Sequence, residues 1–284
     1  MGKQRYKCNY CGAVFTLSIK WCDKAYEEYC YKGHSYEEIS IKYNKHPITV
    51  QRGFDKIKVG QSCRIYEEKE VNVTLDGVYF GWGLCYIVLR ANGRNIYFKQ
   101  CNETINNVLE CLKEAEGLGY KYKSFTVDGR RGIIEMIERE YPGVPIQHCQ
   151  FHQKKTIRKY LTKEPKTECG QELLAFLRPI TRYSKEEFEK GINSIEERYK
   201  EFLIERNEQG RYKHRKIRSA LRSLKRNLPY LFTYREERYK HLNIPNTTNA
   251  CEGYFSQLKR KVRMHPGLVQ SRRIKLIKKL LYKP

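Results

Sequence analysis

Apolar residues along this chain keep a helical period at first, then cluster as they do in strands, then return to a helical period. Residues 24–57 read as three short helices. The first, KAYEEYCYKG, closes at Gly33. The second, SYEEISIKY, opens at Ser35 with Glu38 three residues on, the pattern of a capping box. Asn44–His46 break the pattern, and Pro47 opens the third, PITVQRGFDKI, because proline suits a first helical turn. A polar stretch over 61–70 reads as a linker. VNVTLDGVYF, LCYIVLRA and NIYFKQC then form three β-rich runs between Gly or Asn turns. A helix follows over about 103–116, ended by Gly117 and Gly119. YKSFTVDG, GIIEMIEREYPG, VPIQHC and QFHQKKTIRKYL then alternate strand, helix, strand, helix. Three strands followed by such an alternation predict a mixed α/β sheet. From 166 to 240 strand character disappears, and 246–284 reads as a helix from Asn249 followed by a basic tail.

With 284 residues, 40% of them hydrophobic, the chain can form one sizeable packed core with small appendages. Charge changes the picture more. Lys and Arg number 56 against 32 Asp and Glu, a formal net charge of +24. Such an excess repels itself unless a polyanion neutralises it, and nucleic acid is the polyanion whose phosphates Lys and Arg contact. The N-terminus has no apolar leader segment, and no run of about 18 apolar residues occurs, so neither a signal peptide nor a membrane span is predicted. The eleven cysteines then read as reduced thiols.

A DNA partner gives the first helices a purpose. Helix, short turn, helix over 21–62 is a helix-turn-helix layout whose last helix enters the major groove. Ile48, Phe54 and Ile57 are expected to face its core, and Thr49, Gln51 and Arg52 to reach bases. The alternative is a small bundle for protein contacts. Residues 211–226 carry eight Lys or Arg and no acid, which suits phosphates rather than bases. Lys213, Arg215, Lys216, Arg218 and Arg222 of that run, and Lys259 further on, are the expected backbone contacts. At the N-terminus, Cys8-x-x-Cys11-Gly12 can place two thiolates on one Zn²⁺, but tetrahedral zinc needs four ligands and no second C-x-x-C follows. Residues 1–20 resemble the second half of a zinc ribbon, and the reading frame is expected to start inside that ribbon. The other reading is a remnant that binds no metal.

Three acids carry the candidate chemistry. Thr74-Leu75-Asp76-Gly77 and Thr126-Val127-Asp128-Gly129 each end a predicted strand with a lone carboxylate before glycine. Asp before Gly is an ordinary turn signal, yet its repetition on two core strands argues for more. From Arg238 to Pro284 there are twelve Lys or Arg and one acid, Glu252. Asn249 and Glu252 also fit a helix cap with its third residue, so a cap and a metal ligand compete for that carboxylate. Three carboxylates held together repel, and divalent cations remove the repulsion; two Mg²⁺ ions about 4 Å apart can activate a hydroxyl and stabilise a leaving oxygen.

The order Asp76, Asp128, helical stretch, Glu252 resembles the DDE transposases, and more closely the Mutator-type transposases of bacterial insertion sequences. Four motifs carry the resemblance over roughly 70–270: the strand Asp-Gly, F-x-x-D-G before a helix, Cys149-x-x-His152 after P-I-Q, and N-T-T-N-x-x-E from Asn246 to Glu252. It implies an α/β ribonuclease H-like mixed sheet over 63–165 and 241–284. It further implies an all-helical basic insertion over 166–240 and the small helix-turn-helix domain in front. Asp76, Asp128 and Glu252 become ligands of two Mg²⁺ (or Mn²⁺) ions, with Cys149, His152 and Asn249 as neighbours. His152 has three readings: acid–base or phosphate contact, zinc shared with Cys149, or a structural hydrogen bond. The implied activity is cleavage and strand transfer of double-stranded DNA, at transposon ends and target, by a homo-oligomer in the bacterial cytosol or nucleoid. A non-catalytic regulator and a decayed transposase are the rivals.

Overall fold

The computed structural model describes residues 6–7, 10–12, 14–15, 21–60, 66–81 and 83–282. The chain divides into two compact units, residues 1–61 with 257–283, and residues 62–256. In the first, β1 (Tyr6–Lys7) and β2 (Val14–Phe15) pair antiparallel, followed by α1 (Trp21–Lys32), α2 (Tyr36–Tyr43) and α3 (Pro47–Lys56). The capping box forms as expected: the Glu38 N–H donates to Ser35 Oγ at 3.2 Å, and the Ser35 N–H to the Glu38 carboxylate at 2.7 Å. Pro47 opens α3. Tyr26, Tyr29, Ile39, Val50 and Phe54 build the core of these helices. Ile48 does not join it, being 51% exposed, and Ile57 is half-buried. Val50 and Phe54 stand four residues apart on one face, which turns Ile48 to the opposite side.

The second unit begins with β3 (Glu70–Tyr79), β4 (Cys85–Ala91), β5 (Arg94–Gln100) and α4 (Ile105–Gly117). Next come β6 (Lys121–Val127), α5 (Arg131–Glu140), β7 (Ile146–His148) and α6 (Gln150–Leu161). These strands form one sheet in the order β5-β4-β3-β6-β7, antiparallel across β5-β4-β3 and parallel across β3-β6-β7. β4 is buried at every position, as a central strand with both faces covered must be. Val73, Leu75, Leu89, Phe125 and Val127 of the sheet pack with Val108 and Leu112 of α4 and Ile133 and Ile137 of α5.

A second apolar cluster joins α6 to α7 (Glu168–Leu177), α8 (Lys185–Arg198), α9 (Lys200–Ile204) and α10 (Arg215–Leu231) through Ile157, Leu173, Phe188, Ile192, Leu221 and Leu224. Gln147 anchors the end of α10, donating to Leu231 O at 2.9 Å. The chain then passes along the sheet. Thr126 donates to Pro245 O at 2.8 Å and the Gln150 N–H to Asn246 O at 3.1 Å, which fixes where α11 (Asn249–Arg263) begins.

Past α11, the expected basic tail is instead a helix, α12 (Gln270–Tyr282), grouped with α1–α3. Its Leu276, Ile277, Leu280 and Leu281 recur at helical spacing and are buried. Tyr31 donates to Lys279 O at 3.0 Å, and Arg272 grips Asp55 with two bonds of 2.9 and 2.8 Å. Among the described residues no helix is long and apolar enough to cross a membrane.

Candidate active site

Asp76 does not end its strand. β3 continues to Tyr79, with Asp76 opposite Val88 of β4, because Gly77 adopts extended backbone instead of turning. Asp128 does follow the last residue of β6. β3 and β6 are parallel neighbours with Thr74 opposite Thr126, so the two acids stand two residues further on, at the same level of the sheet. The glycines after them serve close approach. A Cβ on Gly77 would lie 2.4 Å from the Glu103 carboxylate, and one on Gly129 would lie 2.0 Å from the His148 ring. Gly129 also has φ +78, a conformation that costs other residues strain.

Glu252 sits in the first turns of α11, and the cap reading of it does not hold. The Glu252 N–H donates to Thr248 O at 3.0 Å, so Thr248 precedes the helix and Asn249 is its exposed first residue. The Glu252 carboxylate instead lies 3.2 Å from His152 Nε2 and 3.6 Å from Lys155 Nζ. A chain of polar contacts runs behind it. His152 Nδ1 is 3.1 Å from the Thr248 hydroxyl, which is 3.2 Å from Cys149 Sγ, and the Thr248 N–H donates to that sulfur at 3.1 Å. Cys149 and Thr248 are fully buried. In the neutral ring with its proton on Nε2 toward Glu252, Nδ1 accepts from Thr248, whose oxygen accepts from the thiol; in the protonated ring Nδ1 donates to Thr248 instead.

The electrostatics tie the acids together. Burial pushes Asp76 up to about 6, with Glu103 and Asp128 adding to the rise and His152 and the Gly77 N–H opposing it. The contact with Cys149 raises His152, helped by Asp76 and Glu252 and opposed by burial. Burial alone would push the Cys149 thiol up, yet its bonds with His152 and Thr248 leave it below its ordinary value. Burial holds His148 down at about 4, so beside Asp128 it is a neutral ring.

Sequence reasoning missed Glu103 and Arg130. Glu103 lies just before α4 with its side chain 8% exposed, and burial raises its pKa against the pull of Arg130. Arg130 Nε is 3.0 Å from Asp128 Oδ2, its backbone N–H donates to Asp128 Oδ1 at 3.2 Å, and its other arm pairs with the Glu103 carboxylate. Local sequence holds only a weak signal for this, an acid before a capping threonine and an arginine after Asp-Gly.

No three acid, Cys or His side chains among the described residues already converge as a ready ligand set. The donor chemistry nevertheless suits a hard divalent cation: carboxylate oxygens, among them Asp76, which is half-buried and has no salt bridge among the described residues. A partly desolvated carboxylate whose one nearby basic group is a histidine favours a cation beside it. Of the expected zinc pair, Cys8 lies outside the described residues and Cys11 is exposed.

The expected DNA contacts divide. Thr49, Arg52, Lys213, Arg215, Lys216 and Arg222 are exposed, and Gln51 and Lys259 are half-buried. Lys213 pairs with Glu205 at 3.4 Å. Arg218 is committed to the fold, donating to Leu203 O at 2.9 Å and lying 3.7 Å from the Tyr212 ring centroid. Compared with known families, residues 96–280 match the model of the transposases of the Mutator family, a span that includes Asp128, Cys149, His152 and Glu252 and begins after Asp76. No curated protein matches the chain.

Proposed function

Because this chain belongs to the Mutator family of transposases, we propose that it binds the ends of a mobile element as double-stranded DNA, hydrolyses a phosphodiester bond there, and joins the freed 3′-hydroxyl to target DNA. Asp76, Asp128 and Glu252 are the acids of this reading. The observation that carries it is that Asp76 and Asp128 stand at one level of neighbouring parallel strands, while the Glu252 carboxylate, 124 residues beyond Asp128, rests on His152, a ring that Asp76 also influences, instead of capping its helix. Three antiparallel strands followed by two parallel ones, with helices between, support a ribonuclease H-like core. Two Mg²⁺ or Mn²⁺ ions bound by these acids would polarise the phosphate and ionise the attacking hydroxyl.

The protein's own groups prepare that chemistry. The Gly77 N–H donates to Asp76 Oδ1 at 2.8 Å and orients it on a rigid strand. His152 directs Nε2 at Glu252 and is itself held by Thr248 and Cys149, the support that keeps a ligand's geometry from drifting. This favours the positioning role for the C-x-x-H pair. The helices α1–α3, with Thr49 and Arg52 exposed on α3, serve as the helix-turn-helix reader, and α10 with Arg215, Lys216 and Arg222 contacts phosphates. The active species on DNA is a homo-oligomer.

Linear DNA carrying the element's terminal repeats provides the test. With Mg²⁺ the chain is expected to nick it, whereas Asp76→Asn and Asp128→Asn bind it and leave it intact. Metal-dependent nicking by either variant at the wild-type rate removes that acid from the site. DNA binding without nicking by the wild-type chain favours the regulator.

A further inference from the structure

Arg130 joins two acids that the transposase reading does not itself connect. Its guanidinium pairs with Asp128 and with Glu103, and a third bond of 3.2 Å runs from its Nη1 to the Glu103 carbonyl. Glu103 is the more buried of the two partners, with 8% of its side chain exposed against 21% for Asp128 and 44% for Arg130. The glycine at 77 leaves the space its carboxylate fills, and the Tyr79 hydroxyl stands 3.5 Å from its second oxygen. Glu103 is therefore held against the strand that carries Asp76 and bridged to the acid that follows the next strand.

We infer that Glu103 is a fourth acid of the site and that Arg130 is an internal cation competing with divalent metal for it and for Asp128. This rests on the assignment of Asp76, Asp128 and Glu252 as metal ligands. The physical argument is charge balance. Asp128 and Glu103 share one guanidinium, and the Glu103 carboxylate lies against Gly77, the residue after Asp76, so the negative charges of these acids repel one another. One positive charge from a flexible, half-exposed side chain offsets part of that, less than a divalent ion offsets. The half of the bridge that runs to Asp128, with 44% and 21% of the two side chains exposed, is open to water and weak enough to exchange. The arrangement keeps the acids apart from one another's charge before metal arrives and lowers the affinity for metal by the free energy of the bridge that must open.

Mn²⁺ binding to the full chain, followed by titration calorimetry and by the paramagnetic resonance of free Mn²⁺, separates the possibilities without any cleavage assay. Asp76→Asn is expected to abolish tight binding. Glu103→Gln is expected to weaken it about 10–100-fold, as loss of a ligand or its close support does. Arg130→Gln is expected to tighten it severalfold, and Arg130→Lys, which keeps the charge, to stay near wild type; thermal unfolding of each variant checks that it is folded. Unchanged or weaker binding by Arg130→Gln overturns the competition, and an unaltered affinity in Glu103→Gln overturns the fourth acid. If Asp76→Asn binds Mn²⁺ as wild type does, the three-acid assignment itself fails, a different result from failure of the bridge alone.

Discussion

Thr248 has an outsized part for a residue with no acid–base chemistry of its own. Its carbonyl starts α11, its N–H donates to Cys149, and its hydroxyl stands between that thiol and His152. Thr248→Val keeps shape and removes the hydroxyl. Cleavage should fall about 10–100-fold, the usual effect of losing a ligand's outer support, while DNA affinity stays unchanged. Wild-type cleavage rates in that variant would mean His152 is oriented by something else. Gly129→Ala should lower stability by about 2 kcal/mol or more, since it adds left-handed strain to a collision with the buried His148 ring. An unaltered urea midpoint would show that the loop relaxes freely. At this scale much was legible in the sequence, because Asp76, Asp128, Glu252, Cys149 and His152 stand in short motifs. Glu103 and Arg130 were not legible, since their meeting depends on β3, β6 and the start of α4 coming together. The reason for Gly77 was hidden likewise: Asp-Gly reads as a turn, and here it leaves room for a carboxylate within a continuing strand.

At the level of elements, α3 offers a direct contrast between its two faces. Phe54→Ala should cost about 3–5 kcal/mol, a buried aromatic lost from a core. Ile48→Ala should change stability by less than about 0.5 kcal/mol, as exposed positions do. Equal losses in chemical denaturation would return Ile48 to the core. α1 and α2 are joined by Glu28, buried on α1, whose carboxylate accepts from Lys42 at 2.8 Å. That bond holds the Glu28 pKa below its ordinary value, against the opposing effect of burial. A carboxylate depressed in the folded state contributes stability above its unfolded pKa and loses it as pH falls through the folded one. The stability advantage of wild type over Glu28→Gln should therefore be full at neutral pH and vanish below the ordinary glutamate range. An advantage that persists at pH 2 would contradict this. Most elements were readable from their period, α6 to the residue. The reading of α12 as a tail failed because its basic residues mask LIKKLL, whose apolar spacing gains meaning only beside α1.

For the whole molecule, the formal charge of +24 can be assigned to particular side chains. Some of the basic residues in the run expected to meet DNA are already engaged, Arg218 in the packing of α10, Lys213 with Glu205 and Lys225 with Glu196, and elsewhere Arg272 is taken by Asp55. Sequence counts charges without showing which are taken, and so overstates the DNA-facing set. Arg215, Lys216 and Arg222 are exposed and make no ion pair among the described residues. If phosphates neutralise these three, each contact releases counterions and steepens the salt dependence of binding. Replacing all three with Gln should reduce the log–log slope of affinity against salt by about 2.7, at about 0.9 per contact on duplex DNA. Arg218→Gln should act on stability instead and leave the slope within about one contact of wild type. Because phosphate contacts carry no sequence information, the triple variant should lose affinity equally for terminal-repeat and unrelated DNA. Arg52→Gln on α3 should narrow the difference between the two DNAs if that helix reads bases. A triple variant with an unchanged slope would place α10 away from DNA and leave α3 and the C-terminal basic residues to account for binding.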